Sequence, residues 1–532
     1  MSLAPPIPQL DTAQLLHALA AKEVQIAALK HQLEWFKRQL FGAKSERLAA
    51  QVSPLQMTLG EGLGQGLDAA PSAPPLTPGT VVPAHTRKAR WTNLADEGAL
   101  PAGFFDPERV PVQVIHVPNP AVEGLSADQY EVISEKVSYR LAQRPGSHVV
   151  LKYVRPVVKV LATQALHTAP APEGVIRGSR ADVSFIAGLM MDKFAWHLPL
   201  HRQHQRLTVA GFKLSRPWLT QLMQDASELL RPLYEAQLQS IRDSRVKSMD
   251  ETGIKAGVEP GAKTGNAVGK MHAGYFWPIY GEHDEICFAY SDSRRHEVVQ
   301  QQLGLSPPPG AVLLSDGYAA YSAYAQKTGV VHAQCWSHTR RKFFEAQNAE
   351  PDLAAQAMAL IAQLYGIEQN MRQSQLSAKA RGEHRLMHSK PIVESFFAWI
   401  DARFEAQGLL PSNPLTQALA YARDRRSALQ VFLTDGQVPI DTNHVERALR
   451  VIPMGRKNWN FCWTELGAEH VGIVQSLIVT CRLHNIDPNT YLVDVLQRVS
   501  MLPNSRVAEL TPRIWKTLYA ANPLRSDLHT AL

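Results

Sequence analysis

The chain has 532 residues, which excludes one small module and allows about three to four domains. Hydrophobic residues at 45% and charged residues at 19% provide for large buried cores and rule out wholesale disorder. Lys and Arg outnumber Asp and Glu by 55 to 48; the resulting +7 permits a polyanionic partner, and a mildly basic soluble protein would show the same balance. Four cysteines, Cys287, Cys335, Cys462 and Cys481, form no CxxC pair, so a disulfide framework and a thiolate zinc knuckle are both disfavoured and a reducing cytosol fits. With no secretory leader pattern and no apolar run of about 18 residues, a cytoplasmic protein without a membrane partner is expected.

In residues 1–50, Leu19, Ile26, Leu33 and Leu40 recur every seven positions, Leu15, Leu29 and Phe36 fill most of the remaining seam, and Lys22 interrupts it. This predicts a leucine-zipper-like coiled coil and hence a homo-oligomer, with an amphipathic helix packed on its own domain as the alternative. Residues 51–92 read as an extended linker: PSAPPLTPGTVVP carries five prolines, and the segment ends at Arg87, Lys88 and Arg90 beside Trp91. Alternating stretches such as VPVQVIHV and HVVLKYVRPVVKVLA predict a small β-rich module over 93–170.

Residues 171–243 are helical in pattern. A basic helix, a turn at Gly211 and a second helix opening at Ser215 resemble a helix-turn-helix, with Arg202, Arg206, Lys213 and Arg216 near the turn as candidate DNA contacts. Two helices joined by a glycine turn are also an ordinary packing unit. In 244–347, the runs VKSMDET, HAGYFWPIYG, EICFAYSD, GAVLLSDGY and VVHAQCW predict five short strands, the chain turning after Asp250 at Glu251, Thr252 and Gly253. From about Arg340 the pattern is helical, with 348–437 an insertion, 438–480 a segment bearing a further acid, and 481–532 a helical C-terminal region.

Asp250 and Asp316 end the first and fourth of these strands, and carboxylates at two strand ends of one sheet can be held a few ångströms apart. Such a pair, completed by a third acid, binds two hard divalent cations that clamp the attacking and leaving oxygens of a phosphoryl transfer. Glu446 is the candidate third acid, because Arg447, Arg450, Arg456 and Lys457 crowd around it and would hold phosphates. The 130 residues from Asp316 to Glu446 are too many for a simple connection, so the helical insertion between them should flank the site. His332, Cys335 and His338 could bind zinc but lack a fourth partner, and they read as a structural or DNA-positioning cluster beside Arg340, Arg341 and Lys342. Trp336 and Trp459 could stack on a splayed base or sit in a core. GNAVGKM, residues 265–271, imitates a phosphate loop one residue short and reads as a hairpin turn; His384 and His388 lack the HExxH glutamate and read as surface residues. No GxSxG elbow is present.

Together these residues resemble the transposases of the insertion-sequence-66 family, of the TnpC type, which are DDE enzymes of bacterial mobile elements. The resemblance runs through FKRQLFGAKSERL, RPGSHVVLKYVRP, HLPLHRQHQRL, MDETGIK, SDGYAAY, CWSHTRRKFFEA, NHVERALRVIPMGRKNW and DPNTYLVDVLQRV. It implies an α/β ribonuclease-H-like catalytic core with a large helical insertion, preceded by the coiled coil and the small β-rich module. Asp250, Asp316 and Glu446 would be its catalytic and metal-binding triad, with Mg²⁺ as cofactor and Mn²⁺ as a substitute. The implied activity is metal-dependent cleavage and strand transfer at element ends, on double-stranded DNA, with accessory proteins of the same element as partners. An inactive or regulatory DNA-binding relic and a stand-alone Mg²⁺-dependent nuclease are the competing readings. The family's cysteine-rich zinc module would occupy roughly 101–162, yet no cysteine precedes Cys287 and Val157 and its neighbours stand where a thiolate pair belongs, so no zinc is expected there.

Overall fold

The computed structural model describes residues 104–530, apart from 109, 145, 258–270, 407–410, 461 and 463. The heptads, the linker, the patch Arg87 to Arg90 and, apart from Met271, the hairpin expected at 265–271 lie outside the described residues.

The first strands are β1 (Val112–His116), β2 (Tyr130–Arg144), β3 (Ser147–Val160) and β4 (Leu166–Thr168). They form one sheet in the order β1-β3-β2, with β4 pairing the far part of β3. Val157, where a metal-binding thiolate was considered, is a ladder position between Ser134 and Thr168. Leu141 and Val150 on adjoining strands are fully buried and join the main apolar cluster, which ties this sheet to the helices that follow.

Those helices are α1 (Val183–Met190), α2 (Leu200–Val209), α3 (Arg216–Leu229) and α4 (Arg231–Asp243). Asp182 caps α1 by accepting the Ser184 N–H at 2.8 Å, and Ser215 caps α3 through Trp218 N–H at 3.3 Å. Gly211, at φ +99°, makes the turn between α2 and α3 that its sequence position predicts. Leu219, Leu222, Met223 and Ala226 recur at helical spacing and give α3 its buried face.

A second sheet contains β5 (Val246–Met249), β6 (Thr252–Ala256), β7 (His272–Gly281), β8 (Ile286–Ser291), β9 (Val312–Ser315) and β10 (Val331–Gln334), with α5 (His296–Leu303) and α6 (Ala319–Thr328) between them. Six strands replace the expected five. The expected turn at Thr252 and Gly253 is instead the start of β6: the ten residues of β7 pair β5 through Ile279 to Gly281 and β6 through His272 to Phe276, so one long strand templates both. β5, β9 and β10 run parallel, while β7 and β8 are antiparallel additions. Every residue of β5 and β9 is buried, as befits strands covered on both faces.

The helices continue with α7 (Trp336–Ala346), α8 (Pro351–Gln373), α9 (Ala378–His384), α10 (Lys390–Glu405), α11 (Pro414–Arg423) and α12 (Arg426–Thr434). Their core contains Phe343, Ile361, Phe396, Leu419 and Phe432 together with Val246, Val312 and Leu314 of the sheet, so these helices and the parallel strands share one apolar cluster. Within it Arg385 and Glu368 form a bidentate pair at 2.7 and 2.8 Å, with Arg385 also donating to the carbonyls of Phe432 and Val438, both at 2.9 Å. The chain then runs through α13 (Asn443–Leu449), α14 (Val451–Trp459), α15 (Glu465–Leu483), α16 (Pro488–Arg498) and α17 (Pro512–Leu518). Helix α15 crosses β8 so closely that a Cβ on Gly472 would lie 2.3 Å from the Phe288 carbonyl oxygen. Among the described residues no helix is long and apolar enough to cross a membrane.

Candidate active site

Parallel pairing of β5 with β9 sets Val246 beside Val312, Lys247 beside Leu313 and Ser248 beside Leu314. Carried two residues onward, this register sets Asp250 beside Asp316, at the same ends of neighbouring strands, whose axes are about 4.8 Å apart in any sheet. Each loop is folded by its own carboxylate. Asp250 Oδ1 accepts the Glu251 N–H at 2.8 Å, and Asp316 Oδ1 accepts the Tyr318 N–H at 2.9 Å. Burial pushes the Asp250 carboxyl up to about 7, against the pull of the Glu251 N–H and with the charges of Glu251 and Asp316 adding to the rise.

Glu251 is not a surface acid. Tyr321 Oη donates to its Oε2 at 2.6 Å and Arg294 Nε to its Oε1 at 3.0 Å, while Arg294 lies over the Tyr318 ring at 4.4 Å. This cluster braces the turn after Asp316 against the residue after Asp250.

Glu446 lies in the first turn of α13, which is anchored at the end of β10. Cys335 Sγ accepts from both the N–H and the hydroxyl of Thr442 at 3.2 Å, and the Trp336 N–H donates to the Ile440 carbonyl at 3.1 Å. The Glu446 side chain remains 41% exposed, with Oε1 3.8 Å from His338 Nε2. Burial acts to lower the His338 pKa, yet its hydrogen bond with Cys335 and the charges of Glu446 and Asp316 hold it at about 9. Among the described residues no group of three or more His, Cys, Asp and Glu side chains stands close enough together to hold a metal ion. The two strand-end acids are thus brought side by side, and the third acid is turned to His338. The donors nonetheless suit a hard dication: the carboxylates supply oxygen, and a cation would offset the charge that burial and Asp316 make costly at Asp250.

His332, Cys335 and His338 do not all converge: Cys335 and His338 meet through a hydrogen bond, and His332 is engaged elsewhere. His332 meets Ser315 Oγ at 2.9 Å and Ser322 Oγ at 3.4 Å, and burial pulls it down to about 4. Cys335 faces Thr442 and His338 faces Glu446, so the trio joins β9, α6 and α13 around the acids.

The candidate cations divide by environment. Arg202, Arg216, Arg447, Arg450 and Lys457 are exposed. Arg206 pairs with Asp192, and Arg341 and Lys342 each lie 3.5 Å from Glu345. Arg340 is half-buried, near Tyr365. Arg456 donates to the Gly253 carbonyl, which fastens α14 to β6. Trp336 is fully buried, its Nε1 donating to the Leu429 carbonyl at 2.8 Å, so the stacking role considered for it is replaced by a core role. Trp459 is half-buried against the main apolar cluster. Of the other histidines, His384 is half-buried and His388 exposed, their rings 4.3 Å apart.

Sequence reasoning passed over Arg425 and Tyr421. Arg425 lies between α11 and α12, and its Nη2 donates to the Gly317 carbonyl at 3.3 Å. A Cβ on Gly317 would lie 2.7 Å from Tyr421 Oη and 2.9 Å from Arg425 Nε. No local motif announces this contact, because its acceptor is a backbone oxygen 108 positions away.

Comparison with known proteins gives concordant matches. Residues 178–470 match the family described as Transposase IS66 family, residues 476–513 match the IS66 C-terminal element, and residues 28–99 match the Transposase C of IS166 homeodomain. Uncharacterized protein y4hP of Sinorhizobium fredii (strain NBRC 101917 / NGR234) is 28% identical over 524 residues, covering 93% of this chain and 90% of the relative. Uncharacterized protein y4jD of the same organism is 28% identical over 502 residues, covering 92% of this chain and 94% of the relative. The first family match alone spans more than half of the chain, and the carboxylate-bearing loops and helix α13 all fall inside it: the protein belongs to the IS66 family of transposases.

Proposed function

We propose that this transposase cuts DNA at the ends of an insertion sequence and joins the freed 3′-hydroxyl to target DNA, using Asp250, Asp316 and Glu446 as a DDE triad. The observation that carries this reading is the register that sets Asp250 beside Asp316, with Glu446 reaching the same neighbourhood through His338. The strand order β8-β7-β5-β9-β10, three antiparallel strands followed by two parallel ones, supports a ribonuclease-H-like core with residues 348–437 as its helical insertion. Mg²⁺, or Mn²⁺ in its place, would be held by the three carboxylates and when bound would supply charge neutralisation at the phosphate and activation of the attacking oxygen.

The chain's own residues do the rest. The exposed Arg447 on α13, Arg450 between the two helices and Lys457 on α14 follow Glu446 in the chain, and they would offer contacts to a DNA backbone. Arg202 and Arg216 offer a second set of phosphate contacts at the helix-turn-helix. His338, held beside Glu446, keeps that carboxylate oriented toward α7. Self-association through the heptads of residues 13–40 and pairing with accessory proteins of the same element complete the proposal.

The test is incubation of the full-length protein with linear DNA carrying the element's termini and Mg²⁺, beside Asp250→Asn. Strand transfer by the unaltered protein alone supports transposition. Cleavage without joining points to a nuclease, and equal binding without chemistry to a regulatory protein.

A further inference from the structure

We propose that Arg425, carried by the helical insertion, is an anion-receiving side chain of the active site and takes a phosphate of the DNA strand held beside Asp316; the assignment rests on the phosphodiester substrate proposed above. Its position comes first. The guanidinium packs on the backbone immediately after Asp316, donating to Gly317, and the absence of a side chain at Gly317 is what lets Arg425 and Tyr421 approach. His332 and Tyr421 each sense both the Arg425 cation and the Asp316 carboxylate, which places the two charges in one neighbourhood.

Its partners come second. Arg425 donates to two carbonyls, Tyr421 at 3.2 Å and Gly317 at 3.3 Å, and its Nε is buried without a hydrogen-bond partner. Among the described residues no carboxylate forms an ion pair with it, whereas neighbouring Arg426 pairs with Asp401, Arg385 with Glu368 and Arg245 with Asp435. Asp316 lies in its neighbourhood but forms no ion pair with it, and two long bonds to neutral oxygens do not offset the cost of half-burying the cation. An uncharged amide could brace the Gly317 carbonyl equally well. A guanidinium at this place is explained by an anion that arrives from outside, and beside Asp316 the arriving anion is a phosphate.

Its rigidity comes third. The guanidinium lies on the Tyr421 ring, 3.8 Å from the centroid, so its plane is fixed before substrate binds. A planar fork held by stacking suits two oxygens of one phosphate, which a lysine ammonium cannot engage in the same way.

The experiment measures binding of the full-length protein to a 30-base-pair duplex bearing the element end, without Mg²⁺, at several salt concentrations, for the unaltered chain, Arg425→Gln and Arg425→Lys. Loss of one phosphate contact lowers the slope of log K against log salt by about 0.9, so Arg425→Gln should bind several-fold more weakly with a slope about 0.9 shallower. Arg425→Lys should keep the slope and cleave more slowly at saturating DNA. Tm for each variant separates a bracing role: a fall in Tm with affinity and slope unchanged would overturn the proposal, as would an Arg425→Gln protein indistinguishable from the parent. If the unaltered protein binds no duplex, the functional reading itself fails and this inference falls with it.

Discussion

Asp250 and Asp316, 66 residues apart in the chain, stand just beyond the ends of β5 and β9, whose pairing of Val246 with Val312 has the same 66-residue offset, and Asp250 feels the Asp316 charge. The pairing belongs to the sheet register, which the burial of both strands on both faces fixes firmly, since a one-residue slip would reverse every side chain. Removing either carboxylate should therefore abolish chemistry and leave the fold intact. Asp250→Asn and Asp316→Asn are expected to lose about a thousandfold or more in strand cleavage, several kcal/mol of transition-state stabilisation, with duplex affinity unchanged. Retention of full cleavage by either variant removes it from the triad.

The placement of Glu446 depends on a sulfur. Cys335, 2% exposed, holds both the N–H and the hydroxyl of Thr442, one turn ahead of Glu446. Cys335→Ala leaves these buried donors unpaired, at a cost of about 1–3 kcal/mol, and frees α13 to shift. Cleavage should fall while Thr442→Ala, made on top of it, adds little further loss. Additive losses in a double-mutant cycle would dissociate the two residues.

Helices α8 to α12 are organised around Arg385. Removing only one member of its buried pair with Glu368 should cost about 3–5 kcal/mol, because the other charge is left stranded. Glu368→Leu combined with Arg385→Met should recover part of that loss, though the Phe432 and Val438 carbonyls then lack their donor. Urea denaturation of the single and double variants measures both effects.

Lys247 gives a signed pH prediction. Its side chain is buried in β5, donating to the Arg242 carbonyl at 2.9 Å, and burial lowers its pKa to about 8. Between about pH 8 and the ordinary lysine value near 10.5, the unfolded chain carries the proton and the folded chain does not, so stability from this group rises with pH across that window. Relative to Lys247→Met, the Tm of the parent should climb from pH 8 to pH 10. A flat difference would place the ammonium in contact with solvent.

Gly472 reports on the contact between α15 and β8. With the Phe288 carbonyl oxygen 2.3 Å from where a Cβ would stand, Gly472→Ala must push helix from sheet, and a loss of about 1–3 kcal/mol is expected in spite of alanine's better helix propensity. A variant as stable as the parent would mean that the helix has room to move.

The strands and the acids at their ends were legible because buried parallel strands are short apolar runs, and VKSMD and VLLSD stop at a carboxylate. Thr252 to Ala256 was misread because TGIKA carries a turn signal, and only the length of β7 makes it a strand. Arg425 was invisible because its acceptor is a distant backbone oxygen, and the engagement of His332 with Ser315, apart from the Cys335–His338 contact, was invisible because spacing does not tell which way side chains point.

By itself, then, the composition excluded a small, disordered or disulfide-built protein, and the periodicities and motifs determined the order of strands, helices and acids along the described chain, β6 excepted. Those features are local, set by which residues can be buried and which stop a strand. Tertiary structure alone decided which groups meet: the register that juxtaposes Asp250 with Asp316, the Cys335 clamp beneath Glu446, and the approach of Arg425 to Gly317. Each depends on packing between segments far apart in sequence, where apolar burial and backbone hydrogen bonds choose the partner and no local pattern records the choice.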